Sequence, residues 1–192
     1  MLSFLTDDKK IIDEGMSAAL VSSCGEQDKI VEAMRYSALG GKRLRGVLVL
    51  EFAKMLGCKS EDALPYALGI ECVQAYSLVH DDLPCMDNDD MRRGKPSCHI
   101  AFGESTAVLT GDALLTYAFS VITESEAAAA HPERAVKAVA KLANCAGYRG
   151  MVGGQVLDLA AAEKEVSVAE LAAIHSLKTS ALMKASAAME IG

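Results

Sequence analysis

The sequence has no CxxC pair among its cysteines, no excess of basic residues, no clean polar–apolar alternation and no internal repeat. Each absence removes a class of protein. The cysteines (Cys24, Cys58, Cys72, Cys85, Cys98 and Cys145) therefore form no redox or zinc-ribbon pair and read as reduced, cytosolic thiols. Cys98-His99 with Cys85 fits no standard zinc spacing. With 19 Lys+Arg against 26 Asp+Glu the net charge is −7, which argues against a general nucleic-acid binder. It does not exclude small anions, because a local basic pocket can oppose the global sign. The opening MLSFLTDDKK turns acidic too soon for a secretory leader. No apolar run approaches the ~18 residues of a membrane span, so the chain is expected not to be embedded in a bilayer.

What is present is helical. Hydrophobic residues make up 51% of the 192 positions, enough for one domain with a real core. Ala, Leu, Met, Glu and Lys dominate, and apolar residues recur every three or four positions rather than every second. The expected fold class is all-α. Gly40-Gly41 breaks the chain before a helix containing 47–56, which Gly57 closes. A long helix is expected from near Pro65 to Asp81, with Pro84 stopping or bending it. Residues 88–104 read as loop and 105–122 as apolar helix. His131-Pro132 opens the next helix, with Gly147 near its end. Ser167 and Glu170 form a capping box for a helix that meets no stop signal, so the sequence reads as a single domain over 1–192, incomplete at its C-terminus.

Two clusters carry chemistry. His80-Asp81-Asp82-Leu83-Pro84-Cys85-Met86-Asp87 puts three carboxylates at the end of an apolar helix, the unfavourable end of its dipole for negative charge. Either this is a solvated acidic turn, or a cation is held there. Oxygen-only ligands suit Mg²⁺, which shares its shell with water and substrate phosphates. Asp89-Asp90 and Arg92-Arg93 follow, either as local surface pairing or as a phosphate clamp beside a metal site. The second cluster, Gly40-Gly41-Lys42-Arg43-Leu44-Arg45, combines flexible glycines, free N–H groups and three cations at a helix start. It lacks Walker A spacing and reads either as a basic surface turn or as an anion site.

These strings stand in one order with Gly111-Asp112-Ala113-Leu114, Gly153-Gly154-Gln155 and Lys178-Thr179. Together they resemble the polyprenyl synthetases, trans-isoprenyl diphosphate synthases, and most closely the bacterial-type farnesyl and plastid-type geranylgeranyl enzymes. The resemblance covers essentially the whole chain. It implies a bundle of long antiparallel helices around a central cavity, normally homodimeric, joining isopentenyl diphosphate to an allylic diphosphate with Mg²⁺. Asp81 and Asp87 resemble the metal ligands, with Asp82 in support. Gly41, Lys42, Arg45, Gln74 and Arg93 resemble the isopentenyl diphosphate site. Arg92, Lys178 and Thr179 resemble allylic-diphosphate contacts, with Lys178 and Thr179 facing the developing cation. Gln74 stands where many farnesyl synthases carry His, and the acidic motif is the longer variant with two extra residues between its aspartates.

Tyr76 and Ser77 lie five and four residues before Asp81, roughly 6–7.5 Å along a helix axis. A bulky Tyr76 there should shorten the cavity and favour a farnesyl product. The expected chemistry needs no protein nucleophile: cations drain charge from a leaving diphosphate, apolar walls exclude water, and the released diphosphate takes the proton. His80 is expected to support by hydrogen bonding. The family's second aspartate-rich motif has no counterpart, since no aspartate follows Asp158, and Glu163, Glu165, Glu170 and Glu190 do not cluster. The 192 residues alone are therefore expected to turn over poorly. A geranylgeranyl synthase, a shortened regulatory homologue, an ionising terpene cyclase and a helical interaction protein stay as competing readings. Lys42, Arg45 and Arg93 speak against the cyclase, which has no second diphosphate to hold.

Overall fold

The computed structural model describes residues 3–22, 25–162 and 164–189. Cys24, Glu163 and Glu190 lie outside the described residues. In order, the helices are α1 (Ser3–Ala19), α2 (Asp28–Ala38), α3 (Leu44–Met55), α4 (Ser60–Asp81), α5 (Cys98–Phe102), α6 (Glu104–Thr123), α7 (Glu126–Ala130), α8 (Pro132–Ala146), α9 (Met151–Ala161), α10 (Val168–His175) and α11 (Ala181–Ala188). A two-stranded hairpin, β1 (Met91–Arg92) and β2 (Lys95–Pro96), stands between α4 and α5. The all-α expectation holds.

The bundle is organised around α4. Its residues 66–73 are all buried, so this helix is covered on every side rather than along one stripe. α6 packs along it, and α3, α2 and α1 complete its surroundings. Ile12, Met16, Leu50, Ile70, Leu114, Ile122, Leu142 and Leu182 are fully buried around this axis. Truncating any one to alanine should cost roughly 2–5 kcal/mol, because the cavity left behind refills only in part.

Several expectations need correction. α4 starts at Ser60, and Pro65 sits inside it. Pro65 is the sixth residue of the helix, so its missing N–H removes one i→i−4 bond in the second turn. Residues 88–104 are not plain loop: they hold the hairpin, α5 and the start of α6. Two-residue strands are too short to show a period of two, and an Arg-Gly turn lacks the usual Asn-Gly signature. The long apolar segment also differs. α6 is one helix long and apolar enough, by length and composition, to cross a membrane. Glu104, Thr106, Thr110 and Asp112 interrupt it as a string. Its buried positions Thr106, Ala107, Thr110, Gly111, Leu114, Ala118 and Ile122 recur every three or four residues, the pattern of a helix packed in a bundle.

The last helical run contains a feature that no spacing signalled. The Ser167–Glu170 capping box forms as expected, with Ser167 Oγ accepting from the Glu170 N–H at 3.2 Å and Glu170 accepting from the Ser167 N–H at 2.8 Å. Eight residues later the α-helical register gives way to a π-helical turn, Ser176–Ser180, before α11 resumes. Such turns are widened by one residue and concentrate at functional positions. This one carries Lys178 and Thr179.

Candidate functional site

The acidic turn is folded back on the end of α4. The Asp87 N–H donates to the Asp81 carbonyl at 2.9 Å, and the Asn88 N–H donates to the Leu83 carbonyl at 3.1 Å, with Asn88 itself in the left-handed region at φ 53°. Asp87 thereby stands close enough for its charge to act on Asp81. Burial pushes the Asp81 carboxyl up, Lys178 pulls it down, and Asp87 pushes it up again. A half-buried acid facing another acid is a site that a cation would relieve. Asp82 turns the other way. It is buried and accepts from Arg92 Nε at 3.0 and 3.1 Å, with Arg92 Nη2 completing a fork. Arg92 also meets Asp89 at 3.4 Å. Asp82 therefore aims an arginine rather than opening into a cavity.

A hollow of about 510 Å³ lies beside this turn. α4 supplies Gln74, Tyr76, Ser77, His80 and Asp81, and α3 supplies Arg45. α9 adds Met151, Val152, Gln155, Val156 and Leu159, and the π-helical turn adds Lys178 and Thr179. One end is charged and the walls are largely apolar. A second hollow of about 460 Å³ is bordered by Gly40, Lys42, Arg43, Leu44, Arg45, Glu71, Gln74 and Arg93. Arg45 and Gln74 belong to both. The acidic end of α4 and the basic turn thus meet across two shared side chains.

The basic hollow is short of negative charge. Burial holds the Arg45 guanidinium below its ordinary range, and its Nε is buried without a partner among the described residues. Burial also lowers Arg93, and the nearby Arg43 lowers it further. Desolvated, mutually repelling guanidiniums are a site that an anion would relieve. Of the three cations in the basic string, Arg43 is engaged elsewhere. As the residue preceding α3, with φ 57°, it turns inward, donating from Nε to Asp13 at 2.7 Å and from Nη1 to Glu71 at 3.5 Å. Glu71 is buried in the all-covered stretch of α4, and it also accepts from the Gly46 N–H at 2.9 Å.

Two glycines make room for the site. A Cβ at Gly41 would lie 3.1–3.3 Å from the Arg93 guanidinium, so the bare backbone is the surface on which that side chain rests. A Cβ at Gly111 would lie 2.0 Å from His80 Nε2. The close crossing lets His80 Nε2 meet the Val108 carbonyl at 3.0 Å, while its ring stands edge-on to Tyr76 at 5.8 Å. His80 thus ties the C-terminal end of α4 to α6. Lys178 donates to Asp158 at 2.6 Å.

Most of the sequence-predicted residues come together. Asp81, Tyr76, Ser77, Lys178 and Thr179 line the larger hollow, and Lys42 and Arg93 the basic one, with Arg45 and Gln74 common to both. Asp82, Asp87, Arg92 and Gly41 line neither; Asp87 is exposed on the turn, Gly41 lies under the Arg93 guanidinium, and Arg92 and Asp82 share a narrow crevice beneath the hairpin. Glu71, Asp158 and the apolar face of α9 were missed. Glu71 had a signal, a lone carboxylate in an apolar stretch; the α9 face had only the Gly153-Gly154-Gln155 string, whose Gly154 lets α9 lie against the Lys178 backbone. Among the described residues no three His, Cys, Asp or Glu side chains converge as a complete metal cage.

The family model for polyprenyl synthetases matches residues 27–191. The chain belongs to the polyprenyl synthetase family. The farnesyl diphosphate synthase of Bacillus subtilis (strain 168) is 44% identical over 184 residues, covering 95% of this chain and 62% of that one. The large subunit 1 of a chloroplastic heterodimeric geranylgeranyl pyrophosphate synthase from Arabidopsis thaliana is 42% identical over 193 residues, covering 98% and 52%. Among solved structures, an FPP/GFPP synthase from Zymomonas mobilis superimposes with a TM-score of 0.93 at 40% identity, covering 98% of this polyprenyl synthetase and 69% of that chain. The chain therefore spans between half and two thirds of the length of these curated relatives.

Proposed function

We propose that this polyprenyl synthetase chain holds isopentenyl diphosphate and an allylic diphosphate, dimethylallyl or geranyl, in adjoining hollows and joins them head to tail, giving farnesyl diphosphate. The observation that carries the reading is the sharing of Arg45 and Gln74 between the apolar hollow that contains Asp81 and the cationic hollow that contains Lys42 and Arg93. Two diphosphates held on either side of one arginine are oriented for condensation, which converts an encounter in solution into a positioned reaction.

Isopentenyl diphosphate is taken by Lys42, Arg45 and Arg93, with Gly41 and Gln74 shaping the same place. The allylic diphosphate lies toward Lys178 and Thr179, its hydrocarbon tail along Tyr76, Val152, Val156 and Leu159. Asp81, which burial and the nearby Asp87 charge leave ready for a cation, and the exposed Asp87 beside it have the oxygen chemistry that would hold Mg²⁺ together with a diphosphate. That ion supplies charge neutralisation of the departing diphosphate. Lys178 adds a fixed positive charge and Thr179 a hydroxyl facing the allylic carbon, while the α9 wall keeps water from it. Arg92, which the Asp82 fork holds outside both hollows, would reach the allylic diphosphate only by leaving its crevice beneath the hairpin. The released diphosphate accepts the final proton. Tyr76 and Ser77 set the depth of the hollow and hence the chain length. We place the working protein in the cytoplasm as a homodimer, a reading consistent with free thiols at the described cysteines.

A second reading is binding without turnover. It is favoured by the absence, among the described residues, of a third acidic partner for Asp81 and Asp87. One experiment separates the two. The chain is titrated with isopentenyl and geranyl diphosphates separately, then incubated with both, with and without Mg²⁺, and the dephosphorylated products are separated by chromatography. The proposal expects Mg²⁺-dependent farnesol. Binding with no product supports the second reading, and no binding by either diphosphate defeats both.

A further inference from the structure

We propose that Tyr36 is a positioning residue for isopentenyl diphosphate: by clamping the 91–96 hairpin to α2, it sets where Arg93 stands. This rests on the diphosphate reading above and goes one step outward from it, because Tyr36 lines neither of the large hollows.

The hairpin cannot hold itself. It consists of two facing pairs, Met91 with Pro96 and Arg92 with Lys95, and isolated two-stranded ribbons of this size are marginal. Its turn residues, Arg93 at φ 54° and Gly94 at φ 77°, are both left-handed, the geometry of a tight hairpin turn. Glycine adopts that region freely. Arginine does so at a cost, and such outliers persist only where the surroundings over-determine them. Lys95 and Arg93 add a repulsion between neighbouring cations.

Two anchors over-determine the turn: the Asp82–Arg92 fork holds β1, and Tyr36 holds β2. Its hydroxyl donates to the Pro96 carbonyl at 2.7 Å. Its own carbonyl accepts from Lys95 Nζ, which stands 3.7 Å from the centre of the Tyr36 ring. The ring is fixed in turn by Phe102, edge to face at 5.2 Å. One side chain therefore grips β2 at both residues. The far side of the turn carries the Arg93 guanidinium onto the bare backbone of Gly41, inside the cationic hollow. Tyr36 touches no substrate; it acts through Arg93.

The test is calorimetric titration of the full chain with isopentenyl diphosphate. Replacing Tyr36→Phe removes one hydrogen bond and should weaken binding about threefold, and Tyr36→Ala, which loses the ring as well, about tenfold. The decisive readout is a double-mutant cycle, because general destabilisation would add to any other loss. In an Arg93→Ala background, Tyr36→Ala should cause no further weakening. Should Tyr36→Ala fail to fold, Tyr36→Phe, whose ring keeps the Phe102 and Lys95 contacts, carries the same cycle. Wild-type binding that Tyr36→Ala and Tyr36→Phe leave unchanged overturns the clamp alone, as does a loss that persists in full without Arg93. A wild-type chain that takes no isopentenyl diphosphate overturns the diphosphate reading together with the clamp.

Discussion

The two halves of the site are built in opposite ways. The acidic half is local: Asp81, Asp82 and Asp87 belong to one helix end and the turn that follows, tied by a single backbone bond from Asp87 to Asp81. The cationic half is assembled at long range. Lys42 and Arg45 come from the start of α3, Gln74 and Glu71 from the middle of α4, and Arg93 from a hairpin tip. Each half is uncomfortable alone. Acids crowd at the wrong end of a helix, and guanidiniums crowd in a partly dry hollow. The difference teaches where each should fail: the local half through loss of a charge, the assembled half through loss of geometry.

The largest effect should come from the local half. Asp81→Asn keeps the shape and removes the charge, and turnover should fall on the order of 10²–10³-fold, as when one preorganised electrostatic contact is removed at a charged transition state. Mg²⁺-dependent product formation reads it. Isopentenyl diphosphate binding measured without Mg²⁺ should change little, and an equal loss there would erase the distinction between the halves.

Gly41→Ala tests the assembled half with no change of charge. The new methyl group meets the Arg93 guanidinium at 3.1–3.3 Å, so the arginine must move. Isopentenyl diphosphate binding should weaken about tenfold, the loss of one charge-assisted contact, with allylic diphosphate binding unchanged. Tyr76→Ala probes the apolar wall beyond both. It should lengthen the prenyl product with only a modest change in rate, and unchanged product length would remove Tyr76 as the depth gauge.

The same contrast explains what could be read from sequence. The acidic turn was legible because its members are adjacent in the chain, and the two α4 residues before it, Tyr76 and Ser77, follow from helix geometry. Helix starts with strong local chemistry, such as Ser167–Glu170 and His131-Pro132, also came through. The cationic half was legible only as strings. That Arg43 turns inward follows from Asp13 and Glu71, which lie 30 and 28 positions away, and no short-range rule reaches that far. The π-helical turn under Lys178 leaves no specific composition signal, because a string with Ser176, Thr179 and Ser180 suits a weak helix or a turn equally well. Tyr36 carries no local signal, and only its bond to Pro96, 60 positions on, shows what it holds.

The smallest expected effect falls on that hidden support. Burial pushes the Asp13 carboxyl up, but hydrogen bonds from Lys9 and Arg43 outweigh it and hold the group below its ordinary value, with Arg43 and Lys9 charges adding to the pull. Glu71 faces the same Arg43, and Arg93 stands near both. A carboxylate whose folded value is depressed stabilises the fold above its unfolded value and loses that contribution as the pH falls through the folded one. The Asp13–Arg43 pair should therefore contribute fully at neutral pH and vanish below the ordinary carboxylate range. Because Asp13 is partly exposed, at 30% of its side chain, the contribution should be about 1 kcal/mol or less. Denaturant unfolding of wild type and Asp13→Asn at neutral pH and near pH 3 measures it. The wild type should be the more stable at neutral pH, and the gap should close in acid. No gap at either pH would mean that Arg43 is held in its left-handed turn by Glu71 alone, and that the basic half stands on one carboxylate rather than two.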